Sequence, residues 1–201
     1  MTQVDFSFIT DDVFKFTLLG LLDDDTIYKL DGNMTLDTRN TCIKNEMISR
    51  RLYRYDEYLE LSTYDKIYVK QLEYDEDYDK PLDKDVLPSG LTHLTFGRSY
   101  NQPIDKDVLP TSLTHLTFGY HYDQPFGKNV LPNSLTHLTL GYHYNQPFDK
   151  NVLPNSLTHL TIGDYYDQPF GKNVLPNSLT HLTIGSDYNQ PIDNYVLPDS
   201  L

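Results

Sequence analysis

The histidines of this chain are the residues best suited to chemistry, and five of the seven are evenly spaced. Imidazole titrates near neutral pH, so a column of histidines could bind a partner or sense pH. The alternative is that duplication of a repeat copied a surface residue that has no function. Adjacent imidazoles repel one another when protonated, so we expect the array to lose stability between about pH 6.5 and pH 5. The five histidines, 22 residues apart, are His93, His115, His137, His159 and His181.

The sequence lacks the residue patterns that are typical of metal sites and active sites. It has no His-x-x-x-His pair, no cysteine–histidine cluster, no phosphate-binding glycine loop and no Gly-x-Ser-x-Gly turn. Ser112, Ser134, Ser156 and Ser178 each precede a histidine by three residues in the same way, whereas an active site needs unlike groups in one pocket. We therefore predict that the protein is not an enzyme and uses no metal or cofactor.

The histidines belong to a repeat of 22 residues that runs without insertions. Leu-Pro recurs at 87, 109, 131, 153, 175 and 197, and Leu-Thr-His-Leu-Thr recurs at 91, 113, 135, 157 and 179. A fixed period of this size predicts a solenoid. Residues 94–96 alternate as in a half-buried strand, and Gly97 is expected to end it with a positive φ angle. Stacked coils would form a parallel sheet with strands about 4.8 Å apart.

Apolar residues at fixed positions of the repeat predict its core. They are Leu91, Leu94, Tyr100 and Ile104 of the first clear copy, with the residues that follow each of them at intervals of 22. A degenerate copy around Leu72 precedes them, as expected for the outermost coil of an array. Replacing Leu138 by alanine is expected to cost about 2–5 kcal/mol, and the same change at Leu72 is expected to cost less.

The first 64 residues predict a helical region. Thr10 can cap a helix over 11–22. Asp23, Asp24 and Asp25 can cap a second short helix that carries Ile27 and Leu30, and a third segment with roughly helical spacing runs over 37–53. Residues 53–64 indicate a stiff connector, because they are rich in tyrosine and charge and nearly lack Gly, Pro and Ser. Three short helices bury little surface alone, so they need the repeats or a partner protein to pack against.

The repeating unit resembles the FNIP repeat. The resemblance rests on Leu-Pro-x-Ser-Leu-Thr-His-Leu-Thr-(Phe/Leu/Ile)-Gly, followed by Tyr and then (Asn/Asp)-Gln-Pro. This repeat is a relative of the leucine-rich repeat and is abundant in amoebae and in the giant DNA viruses that infect them. The resemblance implies a parallel sheet on the concave side. The expected fold is α+β: a helical region at 1–64, then a leucine-rich-repeat-like parallel β-solenoid at 65–201.

Residues 8–30 resemble the start of an F-box, a motif that FNIP proteins often carry at the N-terminus. F-boxes dock on Skp1 and recruit a cullin-based ubiquitin ligase. The usual Leu-Pro opening is Phe8-Ile9 here, and the tryptophan-containing tail is absent. Alternatively, these apolar residues cap the first repeat. The Skp1-facing positions that the resemblance implies are Phe8, Ile9, Val13, Phe16 and Leu19.

The positions where the copies differ are the best candidates for recognition of a target. Most lie just after the strand, where tyrosine recurs and Arg98 occurs once; both residue types are favoured at contacts. The alternative is unselected drift on a solvated edge. With the adjoining histidine and threonine columns, the predicted target-binding residues are His93, Thr95, Arg98, His115, Thr117, Tyr120, His121, His137, Thr139, Tyr142, His143, His159, Thr161, Tyr165, His181, Thr183 and Asp187.

Charge and composition narrow the class of partner. The net charge of −13 repels phosphate backbones and anionic lipid, which disfavours nucleic acid and membrane surfaces. The single cysteine, Cys42, and the lack of a signal peptide favour the cytoplasm, or the host cytoplasm if the chain is viral.

The expected function is that of an adaptor. Its repeats would bind a target protein while its N-terminal region binds Skp1. The alternative is a scaffold whose first 64 residues only cap the solenoid. Because Leu201 is the first core position of a seventh unit, we also expect the last coil to be open and able to associate end to end with another copy.

Overall fold

The computed structural model describes residues 45, 48–193 and 196–201. The chain divides into two compact units, Met1–Arg51 and Leu52–Leu201. In the first unit the described residues, 45 and 48–51, include helix at 45 and 48–50, within the third predicted helix. The helix predicted at 11–22 and the short helix predicted around Ile27 and Leu30 lie outside the described residues. None of the described helices is long and apolar enough to cross a membrane.

The second unit is a parallel sheet of seven strands that follow one another in chain order. The strands are β1 (Leu52–Arg54), β2 (Gln71–Glu73), β3 (His93–Thr95), β4 (His115–Thr117), β5 (His137–Thr139), β6 (His159–Ile162) and β7 (His181–Ile184). From β2 onward the register places each residue beside its equivalent 22 positions later, such as Leu94 beside Leu116. The predicted parallel solenoid is therefore confirmed.

The strands are short, but the ladder of backbone hydrogen bonds is longer than they are. Thr114 N donates to Thr92 O at 2.9 Å, one residue before β3 and β4. Phe96 N donates to Thr117 O at 2.9 Å, one residue after β3. Five residues per coil, such as residues 92–96, therefore contribute to the pairing.

Gly97 does not end the strand in the way that the sequence predicts. No glycine among the described residues has a positive φ angle. A side chain at Gly97 would instead collide with the carbonyl of Asp75, and one at Gly119 with the carbonyl of Gly97. The glycine column is therefore needed for the close approach of neighbouring coils. The positive φ angles, between 61° and 67°, fall later in each coil, at Asp85, Asp107, Asn129, Asn151 and Asn173, residue types that tolerate this conformation.

The predicted columns form the core. Leu91 and its four equivalents are fully buried, and so are Tyr100, Tyr122, Tyr144 and Tyr166. Leu72 is also fully buried, because β1 covers it as a further coil would. The prediction that Leu72 contributes less than Leu138 is therefore not supported by its surroundings. At the other end of the array, the apolar side chains of the last coil are exposed: Ile192 is 48% and Leu201 is 46% exposed.

Side chains add two further ladders between coils. Ser134 Oγ donates to the Leu113 carbonyl at 2.6 Å, and the serines of the neighbouring copies do the same. The Oδ1 atom of Asp123 accepts from the Asn145 backbone N–H at 2.9 Å and from Gln146 Nε2 at 3.0 Å. The repeated Ser and Asn/Asp-Gln positions thus satisfy backbone and side-chain groups of adjacent coils.

The spacing of the side chains shows how the sheet of this unit curves. Neighbouring histidine rings lie 4.1–4.2 Å apart between centroids. Neighbouring tyrosine rings in the core lie 6.1–6.2 Å apart. Strands lie about 4.8 Å apart, so equivalent atoms converge on the histidine face and diverge on the core side. The histidine face is therefore concave.

Residues 52–66 join this unit instead of forming a connector. After β1 come two short helices, α1 (Tyr55–Glu60) and α2 (Thr63–Lys66). Glu57 accepts a hydrogen bond from Arg54 N–H at the start of α1. The ring of Tyr55 stacks on Tyr74 at 4.3 Å. Tyr55 in this segment thus extends the aromatic core of the repeats, whereas the composition of residues 53–64 indicated only a polar, tyrosine-rich stretch.

Candidate interaction surface

The outward positions of the strands form a narrow strip on the concave face. From β3 to β6 the strand leucine, such as Leu116, is buried, and its two neighbours point the other way; in β7 the equivalent Leu182 is half-buried. We call the resulting two columns the concave strip. Its members are His93, His115, His137, His159 and His181, with Thr95, Thr117, Thr139, Thr161 and Thr183.

The five imidazoles of the concave strip form one continuous stack. Adjacent rings are nearly parallel, with interplanar angles of 8–12°. Each ring is also held by the threonine that precedes it: His137 Nδ1 lies 2.9 Å from Thr136 Oγ1. The same contact, at the same distance, recurs in the other four coils. Stacking between the rings and the contacts with the threonines thus both hold the imidazoles in place.

Both partial burial and mutual repulsion act on the stacked imidazoles. Desolvation lowers the pKa of His93, His115, His137 and His159, and the neighbouring histidines lower each of them further. Both effects favour the neutral form of these four rings at pH 7. Among the described residues no group of three or more His, Cys, Asp or Glu side chains is placed to hold a metal ion.

A second surface lies directly after the strands, where the copies differ. A backbone ladder continues here: His121 N donates to Arg98 O and His143 N to Tyr120 O, both at 3.0 Å. The side chains of successive coils are thereby aligned in a row. We call this row the rim, and its members are Arg98, Ser99, Tyr120, His121, Tyr142, His143, Asp164, Tyr165, Ser186 and Asp187.

The centre of the rim is a cluster of aromatic rings. Tyr120 and Tyr142 stack at 4.8 Å with an interplanar angle of 3°, and Tyr165 lies 4.6 Å from Tyr142. His143 lies 4.9 Å from Tyr165. Arg98 places its guanidinium 5.1 Å from the ring centre of Tyr120, a cation–π distance. Tyr120 and Tyr165 are 38% and 45% exposed, so the rings hold one another in place and remain accessible.

All the predicted target-binding residues lie in the described part of the chain, on the concave strip and the rim. The structure brings them together as two rows, one on the strands and one directly after them. The five predicted Skp1-facing residues, Phe8, Ile9, Val13, Phe16 and Leu19, lie outside the described residues. Sequence reasoning missed the threonine before each histidine as its hydrogen-bond partner; the invariant Thr-His pair of the repeat was the available signal.

The fold and its concave polar strip define the unit as a leucine-rich-repeat-like parallel β-solenoid. The model of the FNIP Repeat family matches residues 78–121, 122–165 and 166–201. The chain therefore belongs to the FNIP repeat family. No curated protein matches the chain.

The chain is also similar to a solved structure, described as the crystal structure of CroV588, a novel circular LRR protein. The two chains are 55% identical, with a TM-score of 0.66. The match covers 67% of this chain but only 20% of that chain. The similarity supports the leucine-rich-repeat-like fold, and this chain spans about a fifth of that protein's length.

Proposed function

We propose that the solenoid is a protein-binding module that holds its target against the rim and the concave strip. The observation that carries this proposal is the exposed aromatic cluster of Tyr120, Tyr142 and Tyr165. Tyrosine gives a large contact area at low entropic cost, and rings already fixed by stacking lose less freedom on binding. Repeat solenoids of this kind are typical of interaction proteins without enzymatic activity.

The contrast between adjacent rows supports the rim as the selective part. The concave strip has the same two residue types in five coils, whereas the rim changes its residues from coil to coil. A uniform row offers the same contacts at every coil, so it gives little discrimination among partners. A row of unlike groups, with a cation at Arg98 and an anion at Asp187, can fix the register and orientation of a target.

The test is affinity capture from cell lysate with the full chain and two matched variants. Tyr142→Ser with Tyr165→Ser removes two rings of the rim. Tyr64→Ser removes an exposed tyrosine of α2, 53% accessible, and serves as the control. We expect the rim variant to lose a protein that the wild type and the control both capture. Equal capture by all three folded proteins would reject the rim as the binding site.

A finer form of the proposal is that the chain is a ubiquitin-ligase adaptor. Its support is the resemblance of residues 8–30 to an F-box together with membership of the FNIP family. The alternative is a scaffold without ligase recruitment. Binding to purified Skp1 separates them, with Val13→Asp and Phe16→Asp expected to abolish binding. If the folded chain does not bind Skp1, the adaptor is excluded and the scaffold remains.

A further inference from the structure

The rim carries opposite charges at its two ends and aromatic rings between them. Arg98 lies in the coil of β3, and Asp187 lies in the coil of β7. Tyr120, Tyr142 and Tyr165 occupy the three coils between these ends. Because neighbouring coils lie about 4.8 Å apart, the row is roughly 19 Å long from the cation to the anion. The rim therefore has a direction that a partner can recognise.

The charged groups at both ends can make further contacts. The guanidinium of Arg98 lies over the ring of Tyr120, and its N–H groups remain at the edge of the guanidinium plane. Asp187 Oδ1 accepts from Ser186 Oγ at 3.1 Å, and Asp164 Oδ1 accepts from Ser186 N–H at 3.3 Å. Each carboxylate keeps a second oxygen. Among the described residues, neither Arg98 nor these two carboxylates form an ion pair.

A row in this order is complementary to a second copy of itself that runs in the opposite direction. A two-fold axis at the coil of β5 sets the coil of β3 in one copy against the coil of β7 in the other, so Arg98 faces Asp187. The same axis sets the coil of β4 against that of β6, so Tyr120 faces Asp164. At the axis, Tyr142 faces its own equivalent. A two-fold interface contains each of the other contacts twice.

Charge selects this direction and this register over the alternatives. A parallel arrangement would set Arg98 against Arg98 and Asp187 against Asp187, and like charges repel. An antiparallel shift by one coil would set Glu76 and Asp77, which precede Arg98 by one coil, against Asp187. The opposite shift would move Arg98 beyond Asp187 of the other copy. In the register centred on β5, Glu76 and Asp77 lie outside the five paired coils.

We propose that the rim is also an interface between two copies of this chain, which pair antiparallel about the coil of β5. The inference goes beyond the proposed function and does not depend on it, although both use the same surface. Aromatic rings lie at the centre of the interface and charged groups at its ends, as in other protein interfaces. The ten rim residues are fewer than the about 20–30 residues on each side of a standard interface, so the pairing is weak and reversible.

Pairing covers the groups that the proposed function assigns to target binding. Tyr120 and Tyr165, which are exposed in the single chain, lie inside the interface of the pair. A target must therefore compete with the second copy, and capture through the rim should decrease as the concentration of the chain rises. The rim is then free for a target when the chain is dilute and covered when it is concentrated.

The first test is sedimentation of the full chain over a series of concentrations at about 0.15 M salt. The net charge of −13 makes two copies repel, and at this salt concentration the Debye length of about 8 Å screens distant charges. We expect a reversible equilibrium between monomer and dimer. Arg98→Asp and Asp187→Arg should each weaken it about tenfold or more, since each places like charges at both ends of the interface. A chain that stays monomeric at every concentration would contradict the proposal.

A matched control separates the position of a charge from the net charge. Lys128 is exposed and lies outside the rim, in the return part of its coil. Lys128→Asp changes the net charge by the same amount as Arg98→Asp, and we expect it to pair like wild type. Equal weakening by both changes would mean that general repulsion controls the association, and the rim would lose its role.

The sharpest test mixes the two rim variants. In a mixed pair, the aspartate introduced at position 98 faces the arginine introduced at position 187, and the unchanged Arg98 and Asp187 face each other at the opposite end. We therefore expect Arg98→Asp and Asp187→Arg to pair with one another about as tightly as wild type, although neither pairs with itself. The double variant should also pair with itself. Circular dichroism confirms that each variant is folded, and a mixture of folded variants that stays monomeric would overturn the proposed interface.

Association through the last coil gives a different result. Ile192→Asp places a charge among the exposed apolar residues of that coil, and rim pairing should tolerate it. If Ile192→Asp abolishes association while the changes at Arg98 and Asp187 do not, the rim is not the interface. The proposed function is tested separately: a chain that pairs but captures no target through the rim loses that function alone, whereas one that captures a target but never pairs loses only this interface.

Discussion

The middle of the solenoid and its first coils are built by different means. From β4 to β6 each coil packs between two clear copies of the repeat, and the same serine, threonine and asparagine or aspartate bonds recur at intervals of 22 residues. At β1 and β2 the copies end, and unlike groups take over. There Tyr55 of α1 stacks on Tyr74, and the Tyr58 hydroxyl donates to the Val86 carbonyl at 3.1 Å.

This difference shows that a repeat specifies its own interface only where both neighbours are copies. In the middle of the solenoid, a substitution removes one contact of a type that the neighbouring coils also make. At the first coils, each contact occurs once and has its own chemistry. The free energy of unfolding of the array is therefore a sum of similar contributions from interfaces between copies, with a different contribution from the interface at the first coils.

The largest expected effect tests burial in the two regions. Leu138→Ala is expected to lower the free energy of unfolding by about 2–5 kcal/mol, because it leaves a cavity in a closed core. Leu72→Ala should cost a similar amount, since Leu72 is fully buried beneath β1. Leu182→Ala should lower the free energy of unfolding by less, because Leu182 is only half-buried, in the coil of β7. Denaturant unfolding measures all three, and a much smaller loss at Leu72 would show that β1 does not cover the first repeat.

The next effect tests the close approach of coils. A Cβ at Gly141 would collide with the Gly119 carbonyl, so Gly141→Ala should cost about 1–3 kcal/mol. A Cβ at Gly127 would meet only the Val130 side chain, at an ordinary distance of 3.5 Å. Gly127→Ala is therefore the matched control, and its thermal midpoint should not fall. Equal loss at both sites would mean that glycine is needed for flexibility and not for contact.

A smaller effect on stability is expected from removing tyrosine hydroxyl groups, and it should depend on whether the hydroxyl makes a hydrogen bond. The Tyr144 hydroxyl is buried and finds no hydrogen-bond partner among the described residues. Burial therefore raises the pKa of Tyr144 strongly, and Tyr144→Phe should leave stability unchanged or raise it slightly. Tyr58→Phe removes the bond to Val86 and should cost about 1 kcal/mol. The opposite order in urea unfolding would require a partner for the Tyr144 hydroxyl.

The smallest effect concerns pH. His93, His115, His137 and His159 have a lower pKa in the folded chain than in the unfolded chain, so the unfolded chain binds more protons as the pH falls below about 6.5. Stability is therefore complete above that pH and decreases below it. A variant with glutamine in place of His115, His137 and His159 should lose less between about pH 6.5 and pH 5. A thermal midpoint that stays flat for wild type over this range would argue against repulsion within the stack.

The sequence was sufficient for the repeating part of the fold, because period and polarity determine it there. Leu94 and its equivalents had to face one interior, and the register of 22 residues followed from the spacing of Leu-Thr-His-Leu-Thr. Gly97 was placed correctly at the end of the strand, but the reason was wrong. A requirement for positive φ and a requirement for close contact select the same residue, so only the structure distinguishes them.

The parts that the sequence did not predict depend on contacts between unlike segments. Residues 52–66 carry no repeat signal, so their strand and helices could not be inferred from periodicity. The Thr–His bond depends on two adjacent side chains that both point away from the core, which alternation alone does not indicate. End-to-end association through the exposed Ile192 and Leu201 stays a prediction, which sedimentation of the full chain at increasing concentration would test.

The most direct test of the binding surface is radical footprinting of the full chain with and without its captured target. This method reports the solvent accessibility of individual side chains. We expect Tyr120, Tyr165 and His121 to be protected in the complex, while Tyr64 of α2 reacts as before. Protection of Tyr64 with the three rim residues unchanged would show that the target does not bind at the rim.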